Sequence, residues 1–209
     1  MAAKQSKLGT LEHWDFTYSQ ELDNFTDHGD IGEIWFGTKA VSKMLEWINA
    51  NNVSPTCSVL DVGCGNAHLL IELYKAGYKN SLGIDYSENA VSLAQVVSSK
   101  MNADISFKVL DFLKESLNSK FDLILDKGTF DAISLSSTEN FINEYLGQIG
   151  KHLNHDGVFL ITSCNFNQSE LESMFSPCLA LYSTVKYPLF SFGGSVGSTI
   201  VTCAFKHSK

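Results

Sequence analysis

Four aspartates, Asp61, Asp85, Asp111 and Asp126, stand inside or directly after short apolar runs. A carboxylate accepts several donors at once, so acids at successive strand ends suit hydroxyl, amine and ammonium groups. In an open parallel sheet, ligands sit beyond the carboxyl ends of the strands. Gly63-Cys64-Gly65 follows the first of these acids. Glycine is needed where backbone approaches a ligand closely or takes up positive φ. A helix start placed there offers free N–H donors and a partial positive charge. Val59–Ala67 therefore reads as a strand, a sharp turn and a helix that cradle a ligand.

The ligand is narrowed by what the turn lacks. The dinucleotide fingerprint needs a third glycine where His68 stands. Asp61 would repel a pyrophosphate but suits a ligand with an ammonium group. An ordinary strand–turn–helix without a ligand is the plain alternative. Asp85 is placed to hold two ribose hydroxyls. Asp111 can accept from an amine while the Phe112 N–H donates, and Tyr86 can lie against the face of a flat ring. Cys64 is a small turn residue and no nucleophile. The six histidines show no metal-ligand spacing, and no metal site is expected.

The elements that must position these residues follow in order. Residues 1–10 are small and polar and read as a mobile tail. Residues 11–52 form an amino-terminal arm and helix over the ligand site, and 53–209 form the core. The arm crowds Trp14, Phe16, Tyr18, Phe25, Trp35 and Phe36 among acids without a clean period. Thr38 is a cap for a helix to about Asn49. Strands are expected at Val59–Val62, Ser81–Asp85, Ile105–Leu110, Phe121–Leu125 and Val158–Thr162, the last entered through an Asp156-Gly157 turn. Between them lie a helix ending at Gly77 and a helix capped by Ser87, with Ala90, Ala94, Val97 and Met101 as its stripe. A third carries Phe141, Tyr145, Ile149 and Leu153 behind a Ser136/Glu139 capping box. A short helix spans about Glu170–Phe175. Two last strands, Leu179–Tyr187 and Ser198–Phe205, are joined through Gly193, Gly194 and Gly197. This alternation predicts an α/β fold. It is a Rossmann-like, mostly parallel seven-stranded sheet with helices on both faces and an antiparallel terminal hairpin.

The Val59–Ala67 stretch closely resembles motif I of the class I (seven-β-strand) S-adenosylmethionine-dependent methyltransferases, with Ala67 in place of a common third glycine. Asp126-Lys-Gly-Thr-Phe-Asp131, Gly32-Glu-Ile-Trp-Phe-Gly37 and Trp14-Asp-Phe-Thr-Tyr18 resemble the elongation factor 1-alpha lysine methyltransferases. So do Ser163-Cys-Asn165, Lys186-Tyr-Pro188 and Phe192-Gly-Gly194. The resemblance implies S-adenosylmethionine as cofactor, S-adenosylhomocysteine as product and a lysine of elongation factor 1-alpha as methyl acceptor. It places Asp61, Gly63, Cys64, Gly65, Asp85, Tyr86, Asp111, Phe112 and Asp126 around the cofactor. It places Asp126, Thr129, Phe130, Glu33 and Trp35 around the reacting amine. Asp126 is expected to orient that amine, and Trp35 or Phe130 to wall its channel. Asp131 reads equally as a second site acid or a helix cap, and Lys127 as solvated or ion-paired.

Bulk properties agree. A chain of 209 residues suits one domain. The net charge of −8 argues against a nucleic-acid phosphate partner. No apolar run reaches membrane-span length. Five scattered cysteines and no apolar signal core suggest the cytoplasm or also the nucleus. A monomer is expected. A small-molecule methyltransferase and a non-catalytic cofactor-binding scaffold are the alternatives.

Overall fold

The computed structural model of the chain describes residues 6–136, 140–176, 178–187, 190–192, 195–197 and 200–208. Val59–Val62 (β1) is buried along its whole length. It pairs in parallel with Ser81–Asp85 (β2) on one side. Phe121–Lys127 lies parallel on its other side. Ser106–Val109 (β3) extends the sheet beyond β2, so Phe121–Lys127 is β4 in chain order. Leu153–Ser163 (β5) pairs in parallel with β4. Leu179–Val185 (β6) forms the far edge, and Val201–His207 (β9) runs antiparallel between β5 and β6. The order is β3-β2-β1-β4-β5-β9-β6, the expected mostly parallel seven-stranded sheet. A small hairpin, Phe190–Phe192 (β7) with Ser195–Gly197 (β8), interrupts the last connection. Gly193, Gly194 and Ser198 lie outside the described residues.

Alternation along the central strands divides the core. Val59, Leu123 and Leu125 face one cluster. Leu60, Val62 and Ile124 face the other. Gly37–Ala50 (α2), His68–Lys75 (α3) and Glu88–Lys100 (α4) cover the first face. Thr129–Ser134 (α5), Phe141–His152 (α6) and Gln168–Phe175 (α7) cover the second. The chain crosses from β3 back to β4 on the other side of β1, which opens a crevice at their carboxyl ends.

Several ends differ from expectation. α2 starts after Phe36, in left-handed backbone, and Thr38 makes no cap. Ser87 does cap α4, accepting from the Ala90 N–H at 3.1 Å. Met101 falls just past that helix and is 46% exposed, so it is no part of the buried stripe. Asn140 precedes α6, and Glu139 lies outside the described residues. α7 begins earlier than expected, behind an Asn167/Glu170 capping box. Asp156 and Gly157 lie within β5 rather than in a turn, where the register against β4 shifts.

The arm is more regular than its composition predicts. Leu11–His28 (α1) is one helix, ended by Gly29 in left-handed backbone. Its period is hard to read because it serves two surfaces. Phe25 joins the core, while Trp14 and Tyr18 line the crevice. Within residues 6–10, Lys7–Gly9 form a 3-10 turn. The Trp14 Nε1–H donates to the Leu8 carbonyl at 2.7 Å, and Gly9 packs on Leu135 backbone.

Candidate active site

The crevice is a cavity of about 370 Å³, built outward from the end of β1. The Gly63 and Cys64 N–H groups both donate to the Ile84 carbonyl, at 2.8 and 2.9 Å, and turn the chain. Gly63 and Gly65 have φ of 68° and 51°. A Cβ on Gly63 would meet Thr129 Oγ1 at 2.0 Å, and one on Gly65 would meet the Tyr18 hydroxyl oxygen at 2.5 Å. The turn is thus bare because loop and arm press against it. Ala67, with φ 61°, adopts the left-handed backbone a glycine would take more easily, at a cost of about 1–2 kcal/mol.

Asp85 ends β2 at the cavity wall. Its Oδ2 accepts from the Gly65 N–H at 3.1 Å and its Oδ1 from the Ser87 N–H at 3.0 Å. A carboxylate has further lone pairs, so ligand hydroxyls can still be received. Burial pushes its pKa up to about 6, against the opposing backbone donors. Asp111 accepts from the Leu113 N–H at 3.1 Å and pairs with Lys114 at 2.7 Å. Gly63, Cys64, Gly65, Tyr86 and Phe112 line the same cavity. Burial pushes the Cys64 thiol well above its usual range, which leaves it inert.

The loop after β4 departs from expectation. Asp126 is fully buried and does not line the cavity. Its carboxylate accepts from the Thr129 N–H at 2.9 Å, the Phe130 N–H at 2.9 Å and the Tyr145 hydroxyl at 2.5 Å. It holds the start of α5 from outside the cavity lining. The reason is strand geometry. Asp126 pairs with Val62 and shares its face, under α6. Burial pushes its pKa up to about 7. Phe130 is likewise buried outside the cavity lining, with ring centroids 4.9 Å from Tyr145 and 5.3 Å from Phe175. Asp61 is buried on the opposite face, next to the cavity but not in its lining, with its pKa raised by burial to about 7.

Thr129, Glu33 and Trp35 do line the cavity. Thr129 Oγ1 donates to the Val62 carbonyl at 2.7 Å and so ties α5 to the turn. Trp35 meets Trp14 edge to face at 5.1 Å, and Phe36 lies over Gly128. Asn66 holds their loop by donating to the Ile31 and Glu33 carbonyls at 2.9 and 3.0 Å. Glu33 is exposed at the rim.

Other residues here carried weak or ambiguous sequence signals. Asp131 lines the cavity and receives the Ser163 hydroxyl and, at 2.7 Å, the Cys164 N–H. It binds the β5 loop to α5, neither capping a helix nor standing free. Lys127 is half-buried in the cavity wall. The only signal for either was membership of the Asp126–Asp131 run. Around the cavity, Glu33, Asp85, Asp111, Asp131 and Glu144 oppose Lys114 and Lys127. This acidic surround, closed by Trp14, Trp35 and Phe36, favours a cationic ligand with a flat aromatic or apolar part.

Comparison with known proteins places this geometry. Residues 54–194 match the family model described as a methyltransferase domain. The chain is 42% identical over 206 residues to EEF1A lysine methyltransferase 2 of Mus musculus, covering 96% of this chain and 84% of that one. It is also 42% identical over 216 residues to protein-lysine N-methyltransferase EFM4 of Saccharomyces cerevisiae, covering 96% and 94%. In fold it is similar to magnesium protoporphyrin IX methyltransferase from Synechocystis PCC 6803, solved with bound SAM. That match has a TM-score of 0.66 at 18% identity and covers 92% of this chain and 97% of that one.

Proposed function

We infer the activity from one premise: the chain belongs to the methyltransferase-domain family and, within it, to the family of the EEF1A lysine methyltransferase 2 and EFM4 proteins. It transfers a methyl group from S-adenosylmethionine to the side-chain amine of a lysine in elongation factor 1-alpha. The observation that carries the cofactor reading is the cradle at Gly63–Gly65, where a Cβ on either glycine would collide and where Asp85 receives the turn's own N–H. The substrate reading comes from the Mus musculus relative, whose name states it, and the yeast relative's name states a protein-lysine acceptor.

The residues fit the cofactor. Asp85 holds the ribose hydroxyls. Asp111 and the Phe112 backbone read the adenine, with Tyr86 against its face. The Gly63–Gly65 turn receives the methionyl part, and Asp61 attracts its ammonium directly or through water. Bound there, S-adenosylmethionine supplies an electrophilic methyl group on a sulfonium.

The protein must then deliver a neutral amine in line, which is chiefly a positioning task. A lysine is protonated at neutral pH. Glu33 at the rim attracts the ammonium, while Trp14, Trp35 and Phe36 strip water from it. Desolvation lowers an amine's pKa and raises the neutral fraction. The arm, residues 11–52, acts as the cover over the core, 53–209.

No helix among the described residues is long and apolar enough to cross a membrane. The five cysteines are free, which suits a reducing compartment, and the cytoplasm is the one proposed.

The test is transfer from methyl-labelled S-adenosylmethionine to unmethylated elongation factor 1-alpha, beside a whole cytosolic extract. An Asp85→Ala variant with an unchanged unfolding temperature is the control. Label on a lysine of the factor, lost in the variant, is the expected result. Label only on other proteins would keep the enzyme and discard the substrate. Absence of label despite cofactor binding would turn the reading to a scaffold.

A further inference from the structure

Lys127 ends β4 one residue past Asp126 and projects to the opposite face of the sheet. β1 and β4 pair Asp61 with Leu125, so Lys127 shares its face with Asp61 and stands beside Gly63. Its side chain lines the cavity under the arm. An ammonium has three donors. Among the described residues its one hydrogen-bond acceptor is the neutral Trp35 carbonyl, at 3.3 Å. Asp61 and Asp126 attract it from beyond ion-pair distance, and burial works against its charge. His68, on the first turn of α3, feels that charge as well.

Such a cation is set for an anion. The sequence contains no arginine, so no guanidinium can serve in its place. The other cavity base, Lys114, is 81% exposed at the Asp111 end and already paired there. The methionyl end of S-adenosylmethionine carries a carboxylate beside its ammonium, and the turn at Gly63 is where that end belongs. We propose that Lys127 binds this α-carboxylate, so that Lys127 and Asp61, on one face of the sheet, read the amino-acid end of the cofactor as a zwitterion. The assignment rests on the cofactor reading above. It makes Lys127 a binding residue and leaves the methyl transfer itself to the positioning already described.

Calorimetry on the full chain separates the two readings. The probes are S-adenosylhomocysteine and S-adenosyl-3-thiopropylamine, which keeps the nucleoside, the sulfur and the amine but lacks the carboxylate. The wild type should prefer S-adenosylhomocysteine by about tenfold or more, the worth of a hydrogen-bonded charge. Lys127→Met should weaken S-adenosylhomocysteine binding by about the same factor and leave the thiopropylamine within about twofold. Lys127→Gln repeats the comparison with a polar chain, and the wild-type preference needs no variant at all. Equal affinity of the wild type for both probes, or an equal loss for both in the variants, would overturn the assignment while leaving the cofactor site intact. A wild type that binds neither probe would overturn the cofactor reading and this one with it.

Discussion

The Ser87 hydroxyl donates to Oδ1 of Asp15 at 2.7 Å, joining α1 to the start of α4. The same serine caps α4 with that hydroxyl and donates to Asp85 through its backbone. Asn89 adds two further donors to Asp15, one to its side chain and one to its carbonyl. One latch thus connects the arm to the acid proposed to hold ribose. Asp15→Ala should cost about 1 kcal/mol of stability. It should also speed proteolysis between residues 6 and 36 and weaken S-adenosylhomocysteine binding several-fold. Limited proteolysis and calorimetry on the same variant check this. Unchanged cleavage of the arm would mean that other contacts hold it.

Asp126 gathers three donors and faces away from the cavity. Asp126→Ala strands those donors and should cost about 3 kcal/mol or more, since each buried unsatisfied group costs about 1–3 kcal/mol. Asp126→Asn, which keeps one acceptor oxygen, should lie between the two. Thermal unfolding beside turnover at low temperature reads the result. A full unfolding temperature with lost turnover would restore Asp126 to the reacting amine.

Gly63 leaves no room for a side chain against Thr129. Gly63→Ala should weaken S-adenosylhomocysteine binding by more than about tenfold, through the clash and a left-handed backbone strained by about 1–2 kcal/mol. Thr129→Ala added to it removes the clashing hydroxyl and should restore part of the affinity. The strain of φ 68° would remain. Calorimetry on the single and double variants decides whether contact or strain dominates.

Asp61 makes stability depend on pH. Its folded pKa, raised chiefly by burial, is about 7, against about 3.9 in an unfolded chain. Between those values the native state holds a proton that the unfolded state releases. Stability therefore falls as pH rises from about 4 to about 7, and the penalty stays constant above. Asp61→Asn, without cofactor, should raise the unfolding temperature at pH 8 by about 2–4 °C for each kcal/mol relieved, and change it little at pH 4. A gain at pH 4 equal to that at pH 8 would sink the electrostatic account.

The local patterns were plain in the sequence because they need only neighbours. Three apolar residues around an aspartate before a Gly-x-Gly turn make a buried strand and a bend in almost any α/β protein. Ser87 can cap α4 wherever the chain goes. The α1 helix was harder to read, because its apolar residues divide between the core and the cavity, and no single stripe results. Asp15, Asn66 and Tyr18 carried no local sign of their contacts, since their partners are distant in sequence.

The sequence by itself determined the ends of β1 and β2, the bare turn between β1 and α3, and the acids Asp85 and Asp111 at the mouth of the sheet. In the folded chain β4 runs on to Lys127, so Asp126 and Lys127 point to opposite faces. Which face opens on the cavity was a matter for tertiary structure alone. α6 brings Tyr145 over Asp126, and the arm brings Trp35 over Lys127. Both coverings come from elements distant in the chain. The acid is thereby buried as a helix anchor, and the lysine is left facing the cavity.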